Sequence, residues 1–321
     1  MDPVTHTLLG VAIGEAFFRP RLGRRAVTVA AWAANLPDID VLVLLTGDPG
    51  SVILRRSFGH SLFLVPLWIA ALTWVFKKKY DDMDARDLLT IIAISCTGHL
   101  FFDLINSFGV QLFWPFSLMR PELAMIFIVD LTLAGLLAAP HLTRLKASWQ
   151  PGLGTACQTA LVAVVFYLAM AFSARQYAMA LLARETGGRG FQYAFPEPLG
   201  AHRWRGVVKE SDAWKVYLVN VGRGTVEQRL TVPNDEWSPP SRAAQETPFG
   251  RRLLTFFKAP VWTVSPKAEG GSRVSVRDLR FASLVLPRAE PFLYEFDVPA
   301  TAGTAGGSAE GGAKPRGVSI W

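Results

Sequence analysis

The sequence is short of charge and of cysteine. Asp, Glu, Lys and Arg make up 18% of it, against 50% for hydrophobic residues. That balance is more apolar and less charged than that of an ordinary soluble domain. Its two cysteines, Cys96 and Cys157, both lie in apolar runs, so no disulfide framework is available. No basic segment precedes the first apolar run, which excludes the pattern of a cleaved signal peptide. There is no internal repeat. The formal net charge of +7 does not read as a nucleic-acid footprint, because the basic residues are scattered or sit beside apolar runs. Membrane topology and anionic headgroups explain them more simply.

What is present is uneven. Apolar runs dominate to about residue 182; Gly, Pro and charge dominate afterwards. This predicts an α-helical integral membrane domain over residues 1–184. A small extracytoplasmic antiparallel β-domain over 185–300 and a flexible tail over 301–321 follow. About six membrane helices, some short or broken, are expected: 4–18, 26–46, 60–76, 88–106, 123–140 and 155–182. Short strands are expected at Val207–Lys209, Trp214–Val219, Leu253–Phe257, Val261–Val264 and Arg273–Val276.

The loops after odd-numbered spans carry ten Lys and Arg; those after even-numbered spans carry three, Arg55, Arg56 and Arg120. By the positive-inside rule the odd loops are cytoplasmic, and the C-terminal domain lies in the periplasm of a Gram-negative cell. This frame puts His6, Asp38, Asp40, His60, His99, Asp103 and Asp130 at one depth, near the outer boundary of the membrane. His99 and Asp103 are four residues apart, on one helical face, about 6 Å apart along the axis. Pro37 lets both Asp38 and Asp40 turn inward through a local unwinding. Ionisable groups in apolar segments are costly unless paired, and a divalent cation relieves several together. Mixed His and carboxylate donors suit Zn²⁺, Mn²⁺ or Fe²⁺ better than Ca²⁺. Separate structural roles are the competing reading: a buried hydrogen-bonded His, Asp38 as an N-cap, Asp130 as a helix–helix partner. Arg55 and Arg56 read either as interfacial anchors or as an anion clamp beside the metal.

The segments Met1-Asp2-Pro3-Val4-Thr5-His6, Leu36-Pro37-Asp38-Ile39-Asp40, Arg56 through Gly59-His60-Ser61, and Gly98-His99 with Asp103 resemble the bacterial membrane-bound metal-dependent hydrolase family. The resemblance extends through Asn106–Gln111 and Trp114–Phe116 to Asp130. It implies a multi-pass inner-membrane protein with a hydrolase site at His6, Asp38, Asp40, His60, His99 and Asp103. One departure is visible: that family is expected to read Thr-His-Ser where this chain has Gly59-His60-Ser61. The expectation is therefore a hydrolase holding one or two divalent ions, Zn or Mn first. Asp40 or Asp130 would be general base, Arg56 would assist, and the substrate would be a lipid or lipid-linked phosphoester. An ion-coupled carrier and a non-catalytic scaffold stapled by metal are the alternatives.

Overall fold

A computed structural model describes residues 2–48, 50–142, 152–198, 200–284, 292–300 and 314–319. The chain divides into two compact units. The first comprises Met1–Leu45, Leu54–Arg175 and Pro198–Ala201; the second comprises Thr46–Ile53, Gln176–Glu197 and His202–Trp321.

The first unit is helical. Helix α1 (Pro3–Ile13) begins at Asp2, whose carboxylate accepts hydrogen bonds from the Thr5 amide at 2.9 Å and the Thr5 hydroxyl at 2.6 Å. This cap, with Pro3 at the first helical position, fixes the first turn. A widened turn at Gly14–Phe18 and a short α2 (Arg19–Leu22) continue it. Helix α3 (Arg24–Ala33) packs against α1 at backbone distance: a Cβ on Gly10 would lie 2.5 Å from the Ala30 carbonyl oxygen. Small residues on both helices allow that approach, as in other membrane helix pairs. The chain then passes Pro37 into a 3₁₀ helix, Leu36–Thr46, bent by 42° from α3. A single turn, α4 (Ser51–Leu54), leads to the loop that carries His60, and α5 (Val65–Lys79) follows. Helix α6 (Ala85–Ile105), capped by Asp84, is the long central helix. After an irregular stretch come α7 (Leu131–Leu142) and α8 (Leu153–Thr186), the latter shared between the units.

Among the described residues α6 and α8 are long and apolar enough to cross a membrane, and the bent α3–3₁₀ pair makes a third if counted as one span. The six expected segments thus all contain helix, but several are shorter than expected. Residues 60–64 are not helical, with the Ser61 hydroxyl accepting from the Phe63 amide at 3.2 Å, so α5 starts only at Val65. Asp130 caps α7, accepting from the Leu133 amide at 2.8 Å, and the chain before it is not helical. Large apolar side chains lie exposed along the helices, among them Leu67 and Trp74 on α5 and Val165 and Phe166 on α8, as a lipid-facing surface requires. Arg21 pairs with Asp87 and Arg25 with Asp82, which gathers the 19–25 and 77–87 segments at the N-terminal end of α6.

The second unit is built on two antiparallel meanders. The first sheet runs β1 (Gln192–Pro196), β2 (Arg203–Lys209), β3 (Ala213–Asn220), β4 (Thr225–Pro233), and the second β5 (Pro260–Pro266), β6 (Ser272–Asp278), β7 (Leu293–Val298), β8 (Lys314–Ser319), each in sequential order. Phe195, Val207, Trp214 and Val216 of the first sheet share a core with Val261 of the second. Helices α9 (Pro239–Glu246) and α10 (Pro248–Phe256) join the sheets. The strand expected at Leu253–Phe257 is therefore the end of α10. Thr247 caps that helix, and Phe249, Leu253 and Phe256 recur at helical spacing on its buried face. Of the expected tail, 301–313 and 320–321 lie outside the described residues, while Lys314–Ser319 is the strand β8 rather than a tail.

A buried ion pair braces this unit. Arg205 donates to Glu197 at 2.9 Å, both side chains being almost wholly buried, and to the Arg280 carbonyl at 2.9 Å. Burial pulls the Arg205 guanidinium below its ordinary pKa, against the opposing pull of Glu197. Glu197→Gln should lower the stability of the second unit by about 3–5 kcal/mol, because it leaves Arg205 buried beside a neutral partner. Glu227→Gln, which breaks the exposed pair with Arg229, should change it little. Pulse proteolysis of the full-length protein in denaturant compares the two; equal midpoints would refute the bracing role.

Candidate metal centre

Four elements of the helical unit deliver the candidate side chains. Helix α6 supplies His99 and Asp103 from one face, and both are fully buried. The face they share with Cys96 looks at the C-terminal end of α3, where the last carbonyls have no helical partner. Cys96 Sγ donates to the Ala33 carbonyl at 3.2 Å and His99 Nδ1 to the Ala34 carbonyl at 2.6 Å. A carbonyl only accepts, so His99 carries its proton on Nδ1 and turns a lone pair on Nε2 inward.

The 38–40 turn follows directly. Asp40 is fully buried and its Oδ2 accepts from His60 Nδ1 at 2.8 Å and from the Ser57 amide at 2.9 Å. That bond puts a proton on His60 Nδ1 and orients the second imidazole, so that its Nε2 faces the cluster. The His60 loop lies against the turn: a Cβ on Gly59 would stand 2.0 Å from the Pro37 carbonyl oxygen. The glycine that departs from the expected Thr-His-Ser pattern is the residue this close approach requires.

The two prepared nitrogens meet. His60 Nε2 lies 3.1 Å from His99 Nε2 and 3.1 Å from Asp103 Oδ2; His99 Nε2 lies 3.6 Å from the same oxygen. Asp38 completes the set, for ligand atoms of Asp38, His60, His99 and Asp103 all fall within 4.8 Å of one another. Asp103 is held from behind: Arg56 Nε donates to Oδ2 at 2.8 Å, Asn106 Nδ2 to Oδ1 at 3.3 Å, and His6 Nε2 sits 3.2 Å from Oδ1. His6, placed by the capped first turn of α1, stacks on the His99 ring at 3.7 Å. Arg56 Nη1 donates to Asn106 Oδ1 at 2.8 Å.

This arrangement fits a cation. Two imidazole nitrogens and a carboxylate converge in a space without solvent, which is repulsive for neutral rings unless a cation or a proton lies among them. Asp38 Oδ2, Asp40 Oδ1 and His6 Nδ1 are buried without a hydrogen-bond partner among the described residues. Two nitrogens and two carboxylates form a donor set suited to Zn²⁺ or Mn²⁺.

The expected site residues therefore divide. Asp38, His60, His99 and Asp103 come together as one cluster. Asp40 stands behind His60, and His6 behind Asp103 and His99. Arg56 is spent on Asp103 and Asn106. Asp130 has other partners: its oxygens accept from the Tyr167 hydroxyl at 2.7 Å and the Leu133 amide. Asn106 was not among the candidates, although it lies three residues after Asp103 on the same face. The Ala34 carbonyl and Ser57 amide have no side-chain signal to find.

A set of apolar helices enclosing a two-histidine, two-aspartate cluster defines a membrane protein with a candidate metal centre. Residues 1–178 match the YdjM inner membrane protein family, and the chain belongs to that family. All of the clustered residues fall in the matched region. The chain is also similar to YfhP, an uncharacterized protein of Bacillus subtilis (strain 168), at 29% identity over 137 residues, 40% of this chain and 42% of that protein. No solved structure matches.

Gly59→Ala should destabilise the helical unit by about 1–3 kcal/mol, since the new methyl forces the 38–40 turn and the His60 loop apart. Thermal melting of the full-length protein in detergent checks this; an unchanged melting temperature would contradict the close approach.

Proposed function

We propose that the chain is a membrane-bound metal-dependent hydrolase with its centre at Asp38, His60, His99 and Asp103. The observation that carries this reading is the facing of His60 Nε2 and His99 Nε2 at 3.1 Å, each with its other ring nitrogen already committed as a donor. When bound, a divalent cation supplies Lewis acidity and makes water a nucleophile near neutral pH. The chain's own residues do the rest. Asp40 and the Ala34 carbonyl hold the two imidazoles in one tautomer and orientation. Arg56, Asn106 and His6 hold Asp103. The helices α1, α3 and α6 exclude water from the inner side of the cluster. Asp38, whose side chain is 12% exposed while those of His60, His99 and Asp103 are fully buried, lies at the edge open to a substrate. Asp38 is the carboxylate placed to take a proton from water.

The two ends of α6 support one orientation. The basic segments gather at its N-terminal end, and His99 lies about 21 Å further along the axis. With the basic end cytoplasmic, the centre opens on the extracytoplasmic side, where lipid headgroups are found. A lipid or lipid-linked phosphoester is the substrate class that fits this depth, and the C-terminal unit is then extracytoplasmic as well. The non-catalytic scaffold remains the second reading, favoured by the near-complete burial of the cluster.

The full-length protein should purify with about one Zn or Mn per chain. His60→Ala and His99→Ala should abolish metal binding, and Asp130→Asn should keep it. Asp40→Asn should lower metal affinity by about 10–100-fold without abolishing it, the usual cost of losing a partner behind a ligand. Metal analysis of the purified variants measures this, and metal-dependent release of phosphate or fatty acid from a lipid panel measures turnover. Wild-type protein that takes up no divalent ion would sink the reading, and a proton on His60 would then hold the cluster together. Bound metal without turnover on any lipid or phosphoester would favour the scaffold.

A further inference from the structure

Arg55 and Arg56 are adjacent, yet the structure separates their roles. Arg56 is buried, adopts a left-handed backbone conformation (φ 57°), and lies 4.5 Å over the Phe108 ring while it bonds Asp103 and Asn106. A side chain so enclosed is not free to meet a substrate. Arg55 differs on each count. Its side chain is 30% exposed, and its one recorded carboxylate contact, with Asp38 Oδ1, is long at 3.5 Å. Its Nε is buried without a hydrogen-bond partner among the described residues. Its backbone, by contrast, is anchored, because the Arg55 carbonyl accepts from Arg120 Nη2 at 2.7 Å. The result is a guanidinium on a fixed base, weakly held, at the accessible edge of the cluster.

Apolar surface flanks that edge in the chain. Asp40 is followed by Val41–Leu45, where Leu42 and Leu45 are exposed in the 3₁₀ turn. His60 and Ser61 are followed by Leu62 and Phe63, also exposed, and Phe63 packs edge-on against the exposed Phe116 at 5.0 Å. The first four follow cluster residues closely in sequence, and all stand in turns and the 3₁₀ segment rather than in the long helices. An anionic group at Arg55 attached to an acyl chain would find a surface for each part.

We propose that Arg55 binds the anionic headgroup of an amphiphilic phosphate substrate, exchanging its long contact with Asp38 for paired hydrogen bonds to phosphate oxygens. The assignment rests on the metal centre described above. It makes Arg55 a specificity determinant and Arg56 a positioning residue for Asp103.

The test uses full-length, metal-loaded protein in mild detergent, with dihexanoyl phosphatidic acid, inorganic phosphate and dihexanoyl glycerol as probes. Wild type, Arg55→Gln and Arg55→Lys are compared by calorimetry, and the metal content of the same samples is measured. Wild type should bind the phosphatidic acid saturably and more tightly than inorganic phosphate. Arg55→Gln should weaken both by about 10–100-fold, the loss expected for a charged hydrogen-bonding partner, and Arg55→Lys should restore part of the affinity. Dihexanoyl glycerol should show no dependence on residue 55. Equal affinity in wild type and Arg55→Gln, with metal retained, would overturn the role of Arg55 and leave the metal centre standing. Loss of metal in Arg55→Gln would make Arg55 a support for Asp38 and overturn it too. Inorganic phosphate binding as tightly as phosphatidic acid would refute the amphiphilic substrate. Wild type that holds no metal would reject the centre itself.

Discussion

Two imidazole nitrogens, His60 Nε2 and His99 Nε2, face one another across 3.1 Å in the interior of the helical unit. With both rings neutral they repel, and a cation or a proton between them relieves it. Each is turned inward by a hydrogen bond on the far side of its ring, His99 to the Ala34 carbonyl and His60 to Asp40. The rest of the site follows from this constraint. The converging donors need a positive charge between them, the carboxylates of Asp38 and Asp103 supply the remaining donors, and Arg56, Asn106 and His6 keep Asp103 turned toward the pair.

The helices are arranged to hold that convergence against its own repulsion. Close packing at Gly10 brings α1 and α3 together, and His99 meets the His6 ring with its face and the Ala34 carbonyl with its Nδ1 edge. The break at Pro37 ends the helical ladder where α3's free carbonyls are needed as acceptors. Gly59 lets the His60 loop rest on the Pro37 carbonyl, so the two acidic residues of the turn and the histidine of the loop form one piece. A helix end, a broken span and a tight loop each leave backbone groups unpaired in an apolar setting. Here those groups become the partners that orient the site's side chains.

Much of the cluster was legible in the sequence because polar residues in apolar segments are few and costly. His99 and Asp103 declare themselves by spacing alone, and Pro37 explains how Asp38 and Asp40, two apart, both reach inward. The division of labour within the cluster was not legible. That Asp40 stands behind His60 depends on the path of the 55–60 loop, and that Arg56 is spent on Asp103 depends on Asn106 meeting it. Asp130 shares the residue type but caps α7 and accepts from Tyr167. Beyond the membrane region, Leu253–Phe257 reads equally as a strand or as the end of a helix, since a short apolar run has no decisive period. The cap at Thr247-Pro248, six residues upstream of Leu253, settles it.

The central claim is that a divalent cation occupies the space between His60 and His99. The most direct measurement is an anomalous difference map from crystals of the full-length protein grown with Mn or Zn, recorded on either side of the metal's absorption edge. A peak bounded by His60 Nε2, His99 Nε2 and the carboxylates of Asp38 and Asp103 is the expected result. A map without a peak there, with the two nitrogens still in direct contact, would contradict the claim and leave a shared proton in the cation's place.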